Sequence, residues 1–131
     1  VIDDGGAATI GEAELRFSRT DHPPPTMAVE FSYGGKRLVY TSDTGARWSP
    51  EVFGAGADLV LCEATYQHGD IRAPIHLSAR QAGELARSAA AKRLMLTHLW
   101  PTLDPVVSAE EGAHAFGAEV VLAAPHLVTR I

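Results

Sequence analysis

Three short apolar runs in the second half of the chain limit most strongly what it can fold into. They read DLVLCEA (58–64), RLMLTHL (93–99) and EVVLAA (119–124), and their centres are almost continuously apolar. Such runs are typical of strands buried on both faces of a sheet. Because helical patterns separate them, the sequence predicts parallel strands connected by helices.

The first half of the chain predicts antiparallel strands instead. The segment AELRFSRT (13–20) alternates apolar and polar residues and leads into three prolines, which cannot donate hydrogen bonds to a neighbouring strand. The segments TMAVEFSY (26–33) and KRLVYTS (36–42) flank Gly34 and Gly35. Alternating strands around a two-residue glycine turn predict a β-hairpin.

Helix-capping patterns predict three helices between and after these strands. Each pattern places a polar residue directly before a favourable first turn. The predicted starts are Ser49-Pro50, Ser78 with Gln81, and Asp104-Pro105. The predicted order is β-β-β-α-β-α-β-α-β, with a last strand near HLVTRI (126–131). We therefore expect a single α/β domain of the α+β type over residues 1–131, with a mixed sheet.

Composition excludes several classes of protein. An apolar content of 46% and a charged content of 21% over 131 residues are ordinary for one globular domain. No apolar run approaches the roughly 20 residues of a membrane span, so no membrane partner is expected. The single cysteine, Cys62, cannot form an internal disulfide, which fits a reducing, cytoplasmic location. The net charge of −5 argues against broad nucleic-acid binding but allows a small anionic substrate.

Residues capable of metal or acid–base chemistry follow several of the predicted strands. Five of them lie at strand ends or in one helix-entry loop: His22, Asp43, Glu63, His76 and His98. Each has a plainer interpretation alone, such as a turn or N-cap residue for Asp43, a surface carboxylate for Glu63 or a structural hydrogen bond for a histidine. Their placement at one expected edge of the sheet favours a shared site.

Imidazoles and a carboxylate at rigid strand ends suit zinc or manganese, which bind histidine nitrogen and carboxylate oxygen. The other three histidines do not share this placement. His68 and His126 lie in expected loops and His114 lies within a predicted helix, so we interpret all three as solvated.

Four motifs in a fixed order carry a family resemblance: YTSDTG (40–45), LCEATY (61–66), HLSARQAGELA (76–86) and LMLTHLWP (94–101). Together they resemble the C-terminal half of a metallo-β-lactamase-fold hydrolase, in the branch of ribonuclease Z and the cyclic-nucleotide phosphodiesterases. The resemblance implies half of an αββα sandwich, in which a mixed sheet carries helices on one face.

The resemblance also implies a site with two divalent cations, zinc or manganese. His22 in TDHP matches a ligand of the first metal, and Asp43 in SDTG matches the carboxylate that bridges both. His98 in LTHLW matches a ligand of the second metal. In the phosphodiesterase branch the residue matching Glu63 orients the residue matching His76, which protonates the leaving oxygen.

The family signature H-x-H-x-D-H, which supplies four more ligands, occurs nowhere in this sequence. We therefore expect this chain to supply about half of a two-metal site, to be inactive alone and to bind metal weakly. The missing half of the sandwich would leave an apolar sheet face exposed, so a homodimer is expected. In the motif LCEATY, Cys62 replaces a histidine that is usual in ribonuclease Z relatives. In the motif YTSDTG, Thr44 and Gly45 would form the turn that presents Asp43.

The spacing of two matched residues bears on the substrate. Ribonuclease Z carries a long tRNA-gripping insertion between the positions matching His22 and Asp43. Here only about twenty residues separate them, and the predicted hairpin uses nearly all of these. A small phosphodiester such as a cyclic nucleotide is therefore favoured over precursor tRNA. The alternatives are tRNA 3′-end processing, another hydrolysis on the same fold, or a metal-free, non-catalytic domain.

Overall fold

A seven-stranded sheet with helices on one face forms the body of the protein. We describe it from a computed structural model, which covers residues 2–70 and 72–131. The strands, which lie in the sheet in chain order, are β1 (Ala7–Ile10), β2 (Ala13–Arg19), β3 (Met27–Tyr33), β4 (Lys36–Tyr40), β5 (Leu59–Glu63), β6 (Leu94–Thr97) and β7 (Val121–Leu122).

The sheet is mixed, as predicted. Strands β1 to β4 pair antiparallel, whereas β4 to β7 pair parallel. The predicted hairpin is confirmed, because Tyr33 pairs with Lys36 around Gly34 and Gly35. These two glycines have φ values of 56° and 75°, in the left-handed region that this turn requires.

Two of the three predicted helices are confirmed, α1 (Ala79–Ser88) and α2 (Pro105–Phe116). Ser78 and Gln81 form both hydrogen bonds of a capping box at the start of α1. At the start of α2 the side chain of Asp104 accepts from a backbone N–H of the first turn, and Gly117 ends that helix in the left-handed conformation.

The core lies between the sheet and the two helices. The central strands β4, β5 and β6 each contribute a fully buried side chain that packs against the alanine-rich face of α1. These side chains are Val39, Val60 and Leu96. The helices contact each other closely at Gly83 and Gly112. A Cβ atom on Gly83 would lie 2.5 Å from the carbonyl oxygen of Gly112, so only glycine fits without a shift.

Several predicted elements differ in the structure. The helix predicted after Ser49 is a single 3-10 turn, Pro50–Phe53, because Gly54 with φ 93° ends it at once. Residues 126–131, predicted as a strand, form none; Arg93 instead donates hydrogen bonds to Thr129 and to the carbonyl oxygen of Arg130. Strand β1 was not predicted, since its short exposed sequence has no buried face to produce a pattern.

The sheet face away from the helices is also apolar. Leu15, Phe31 and Leu38 are neighbours in register on β2, β3 and β4, and Phe31 remains 36% exposed. Thr129 and Ile131 of the C-terminal segment border the same surface. The expected apolar face is therefore present.

Among residues 2–70 and 72–131, no helix has both the length and the apolar character needed to cross a lipid bilayer.

Candidate metal centre

One edge of the sheet collects the five predicted site residues. Strands β2 and β4 both run antiparallel to β3, and β5 and β6 run parallel to β4, so all four have their C-terminal ends at this edge. Glu63 is the last residue of β5 and His98 directly follows β6, while His22 and Asp43 lie three residues beyond β2 and β4. His76 enters from the loop before α1.

The five side chains form two overlapping groups with metal-binding geometry. Potential ligand atoms of His22, Asp43 and His76 lie within 4.8 Å of one another, and so do those of Glu63, His76 and His98. His76 belongs to both groups, with ring centroids 5.1 Å from His22 and 5.5 Å from His98. His98 Nδ1 also lies 3.7 Å from Asp43 Oδ1. The structure thus brings all five residues into one cluster.

A buried carboxylate, Glu63, organises this cluster. Its Oε1 accepts from the backbone N–H of Thr44 at 2.9 Å and from His76 Nδ1 at 2.9 Å. Its Oε2 accepts from the backbone N–H groups of Thr65 and Leu77 and from Thr65 Oγ1. Because the side chain is 1% exposed and donors converge on both oxygens, Glu63 acts as an ionised acceptor that orients its neighbours. Its interpretation as a surface carboxylate is therefore wrong.

The hydrogen bonds of Glu63 determine which nitrogens of His76 and His98 carry protons. His76 Nδ1 must donate to the carboxylate. Thr65 Oγ1 lies 2.7 Å from Glu63 Oε2 and 2.9 Å from His98 Nδ1, and its only proton goes to the carboxylate. The hydroxyl can then only accept from His98, so Nδ1 of His98 is protonated. Both imidazoles therefore keep a lone pair on Nε2 when neutral.

His22 is held in the same way by other groups. Its Nδ1 lies 3.1 Å from Thr26 Oγ1 and 3.3 Å from the carbonyl oxygen of Pro24. The Thr26 hydroxyl lies 2.9 Å from that same carbonyl and donates its proton there. Both neighbours of His22 Nδ1 therefore accept, so Nδ1 carries the proton and Nε2 keeps its lone pair.

The backbone around Asp43 is held tightly. The N-cap interpretation of Asp43 is wrong, since no helix begins after it, and the left-handed turn lies at Ser42 with φ 51°. Gly45, predicted as part of this turn, instead permits a close approach, because a Cβ there would lie 2.5 Å from the carbonyl oxygen of Pro74. His98 also has a positive φ, 57°. A left-handed non-glycine residue directly before one predicted ligand and another at a predicted ligand itself are typical of functional sites.

These residues fit a divalent cation by the chemistry of their donors. Three histidines tied through Nδ1 offer Nε2 lone pairs, and Asp43 adds a carboxylate that is 35% exposed. A hydrogen bond at the far nitrogen of each ligating imidazole is the arrangement that metal sites use to orient their histidines. His22, Asp43 and His98 would hold the metals, and His76 has the position of either a ligand or an acid–base group.

The other three histidines and the single cysteine stay outside the cluster. His68, His114 and His126 are exposed, which agrees with their interpretation as solvated. Cys62 is buried beneath the site, and burial raises the pKa of its thiol to about 12, so it remains a protonated core residue. Sequence reasoning did not identify Thr65, because a hydroxyl that acts through a histidine has no signal of its own.

The sequence is similar to those of known proteins. Residues 1–99 match the family described as "Beta-lactamase superfamily domain". The protein ML1173 of Mycobacterium leprae is 33% identical over 109 residues, which cover 80% of this chain and 38% of that protein. A ribonuclease Z of Haloarcula marismortui is 33% identical over 127 residues, which cover 88% of this chain and 40% of that protein.

A solved structure supports the same assignment. The metallo-beta-lactamase fold protein YhfI from Bacillus subtilis superposes with a TM-score of 0.84 and 26% identity, over 93% of this chain and 50% of that one. The chain spans 38% to 40% of the length of the two curated relatives. The predicted αββα-type half-sandwich is confirmed, and this chain belongs to the metallo-β-lactamase superfamily of metal-dependent hydrolases.

Proposed function

We propose that this chain carries part of the active site of a metal-dependent phosphodiesterase that acts on a small phosphodiester such as a cyclic nucleotide. The observation that supports it most is the row of three imidazoles, each tied at Nδ1, beside the accessible carboxylate of Asp43. Two divalent cations, zinc or manganese, would supply activation of water and neutralise charge on the phosphoryl oxygens. A cytoplasmic location is part of this proposal.

The protein side chains have separate roles in this proposal. His22, Asp43 and His98 would hold the cations. Thr65 Oγ1 accepts a hydrogen bond from the Nδ1–H of His98, which keeps the lone pair on Nε2 available to a cation. The stiff backbone on either side of Asp43 limits its movement, so its carboxylate is already in position when a cation arrives.

His76 is the proposed proton donor to the leaving ribose oxygen. Its Nδ1–H is held by Glu63 at 2.9 Å, and Glu63 is 1% exposed. A proton on Nε2 would make His76 an imidazolium beside this buried carboxylate, which stabilises the charge and aims the Nε2–H into the cluster. The leaving oxygen accepts that proton as it departs, and His76 returns to its neutral form.

Two observations support a small substrate. Residues 27–40 between His22 and Asp43 form the hairpin β3–β4, which accounts for most of the connection where a tRNA-gripping arm would have to lie. The net charge of −5 would also oppose a long polyanion. The second candidate is tRNA 3′-end processing, which is favoured by 33% identity to a protein named ribonuclease Z.

A direct test uses the full-length protein loaded with zinc or manganese. We expect hydrolysis of cyclic AMP and of bis(p-nitrophenyl) phosphate, loss of metal and activity in Asp43→Ala, and no change in His114→Ala, which alters an exposed histidine outside the cluster. Preferred cleavage of precursor tRNA would favour the second candidate. Full activity in metal-free protein would contradict both.

A further inference from the structure

An open cleft of about 620 Å³ adjoins the candidate metal centre on the side of His22. Two arginines, Arg19 and Arg47, line it together with His22 and Asp21. Among its described lining residues Asp21 is the single carboxylate, so the two arginines give the cleft an excess of positive charge. Neither arginine has a role in holding the proposed metals.

Asp21 holds the guanidinium of Arg47 in a defined position. Arg47 Nη2 donates to Asp21 Oδ1 at 2.7 Å, and Nε donates to Asp21 Oδ2 at 3.1 Å. The backbone joins the same segments, because the N–H of Gly45 donates to the carbonyl oxygen of Asp21 at 2.8 Å. A Cβ on Gly45 would lie 2.6 Å from Asp21 Oδ2, so this arrangement depends on glycine.

The paired guanidinium remains available to a ligand. Arg47 is 88% exposed although it forms a two-pronged contact with Asp21, and an exposed ion pair of this kind adds little to stability. Only two of the five N–H groups of a guanidinium are used by Asp21, and the others can bind oxyanions.

We propose that Arg47 binds a phosphate group of the substrate in this cleft and that Asp21 positions its guanidinium. The inference rests on the proposed function, because it gives the substrate's phosphate a protein ligand beside the metals. Arginine is suited to this role, since its planar fork matches two phosphate oxygens. The phosphate is either the one bound at the metals or a second one on the same substrate.

The test measures binding rather than turnover. Titration calorimetry with metal-loaded full-length protein would compare 5′-AMP, which has one phosphate, with adenosine 3′,5′-bisphosphate. We expect Arg47→Ala to weaken binding about tenfold or more, and Arg47→Lys to lose less because it keeps the charge without the fork. The matched control is Lys92→Ala, which removes an exposed cation paired with Asp58 at the opposite edge of the sheet and should leave binding unchanged.

The two nucleotides locate the phosphate that Arg47 binds. If Arg47→Ala weakens the binding of both nucleotides, Arg47 binds the phosphate at the metals. If the variant weakens the binding of the bisphosphate alone, Arg47 binds a phosphate at a second site. Either result supports the proposal. Asp21→Asn should also weaken binding if Asp21 positions Arg47, whereas tighter binding would show that Asp21 merely neutralises it.

Wild-type affinity in Arg47→Ala for both nucleotides would overturn the proposal, as would a loss of bound metal in that variant or a failure of wild-type protein to bind either nucleotide. Failure of the proposed function has a different signature. It would appear as wild-type protein that binds nucleotide without holding metal or hydrolysing a phosphodiester.

Discussion

At the residue scale, a single buried carboxylate connects most of the candidate site. Glu63 contacts His76 directly, reaches His98 through Thr65, and holds the backbone of Thr44 next to Asp43. A change at any of these contacts should therefore alter a particular property of the site. We expect mutation to separate the proposed metal binding from the proposed proton donation.

His76→Ala should lower kcat for a cyclic phosphodiester about 10²–10⁴-fold while metal content is retained, because general-acid assistance is lost but the proposed ligands remain. The loss should be smaller with a nitrophenyl ester, whose leaving group needs little protonation. Asp43→Ala should instead lose metal and activity together with both substrates. If His76→Ala also releases metal, His76 is a ligand and not the proton donor.

Thr65→Val should weaken zinc binding about 10–100-fold, because His98 Nδ1 would lose the acceptor that fixes its tautomer. Competition titration with a zinc chelator measures the affinity, and ¹⁵N chemical shifts of the imidazole report the tautomer. Thr65→Ser keeps the hydroxyl and should restore both. Unchanged affinity and tautomer in Thr65→Val would show that the hydroxyl has no positioning role.

At the scale of the elements, the close contact between α1 and α2 decides which residue lies at Gly83 more than helix propensity does. Gly83 lies inside α1, where glycine costs about 1 kcal/mol relative to alanine. The helix retains it because a Cβ would lie 2.8 Å from that of Ala115 and 2.5 Å from the carbonyl oxygen of Gly112. Close packing of α1 on α2 therefore outweighs local preference.

Gly83→Ala should lower the free energy of unfolding by about 1–2 kcal/mol, since overpacking costs more than the gain in helix propensity. Urea denaturation of both proteins measures this difference. The control is Ser88→Ala at an exposed position of the same helix, where alanine should be neutral or slightly stabilising. A stabilised Gly83→Ala would mean that the helices move apart at little cost.

At the scale of the whole molecule, the cluster has too few donors for two tightly bound metals. Zinc sites with catalytic or structural roles use at least three protein ligands per ion. The cluster contains five candidate residues, and both oxygens of Glu63 already accept hydrogen bonds. We expect that the 131-residue chain alone does not bind two zinc ions with submicromolar affinity, which calorimetry can measure; two such sites would contradict this ligand count.

The apolar sheet face leads to a second prediction at this scale, the homodimer. We expect the isolated chain to self-associate at micromolar concentrations, because Phe31 on this face remains 36% exposed. Phe31→Lys should reduce the dimer in light scattering coupled to size-exclusion chromatography. Val106→Lys, at an exposed apolar residue on α2, should not. A chain that is monomeric at all concentrations would refute the prediction.

The sequence by itself determined the elements whose signals are local. The glycine hairpin, the capping box at Ser78 and the apolar runs of β5 and β6 depend on neighbouring residues, so they could be predicted without a partner. The placement of His22, Asp43 and His98 at strand ends was predictable for the same reason, since strand direction brings these ends to one edge. Their roles as ligands stay predictions.

Only the tertiary structure decided the features that depend on residues distant in the chain. The tautomer of His98 depends on Thr65 and Glu63, and the pairing of Arg47 with Asp21 spans twenty-six positions. The segment 126–131 has the composition of a strand, yet the contacts of Arg93 hold its end outside the sheet. Distant residues compete for the same hydrogen bonds and for the same buried surface. A local sequence pattern therefore cannot predict which of these contacts form.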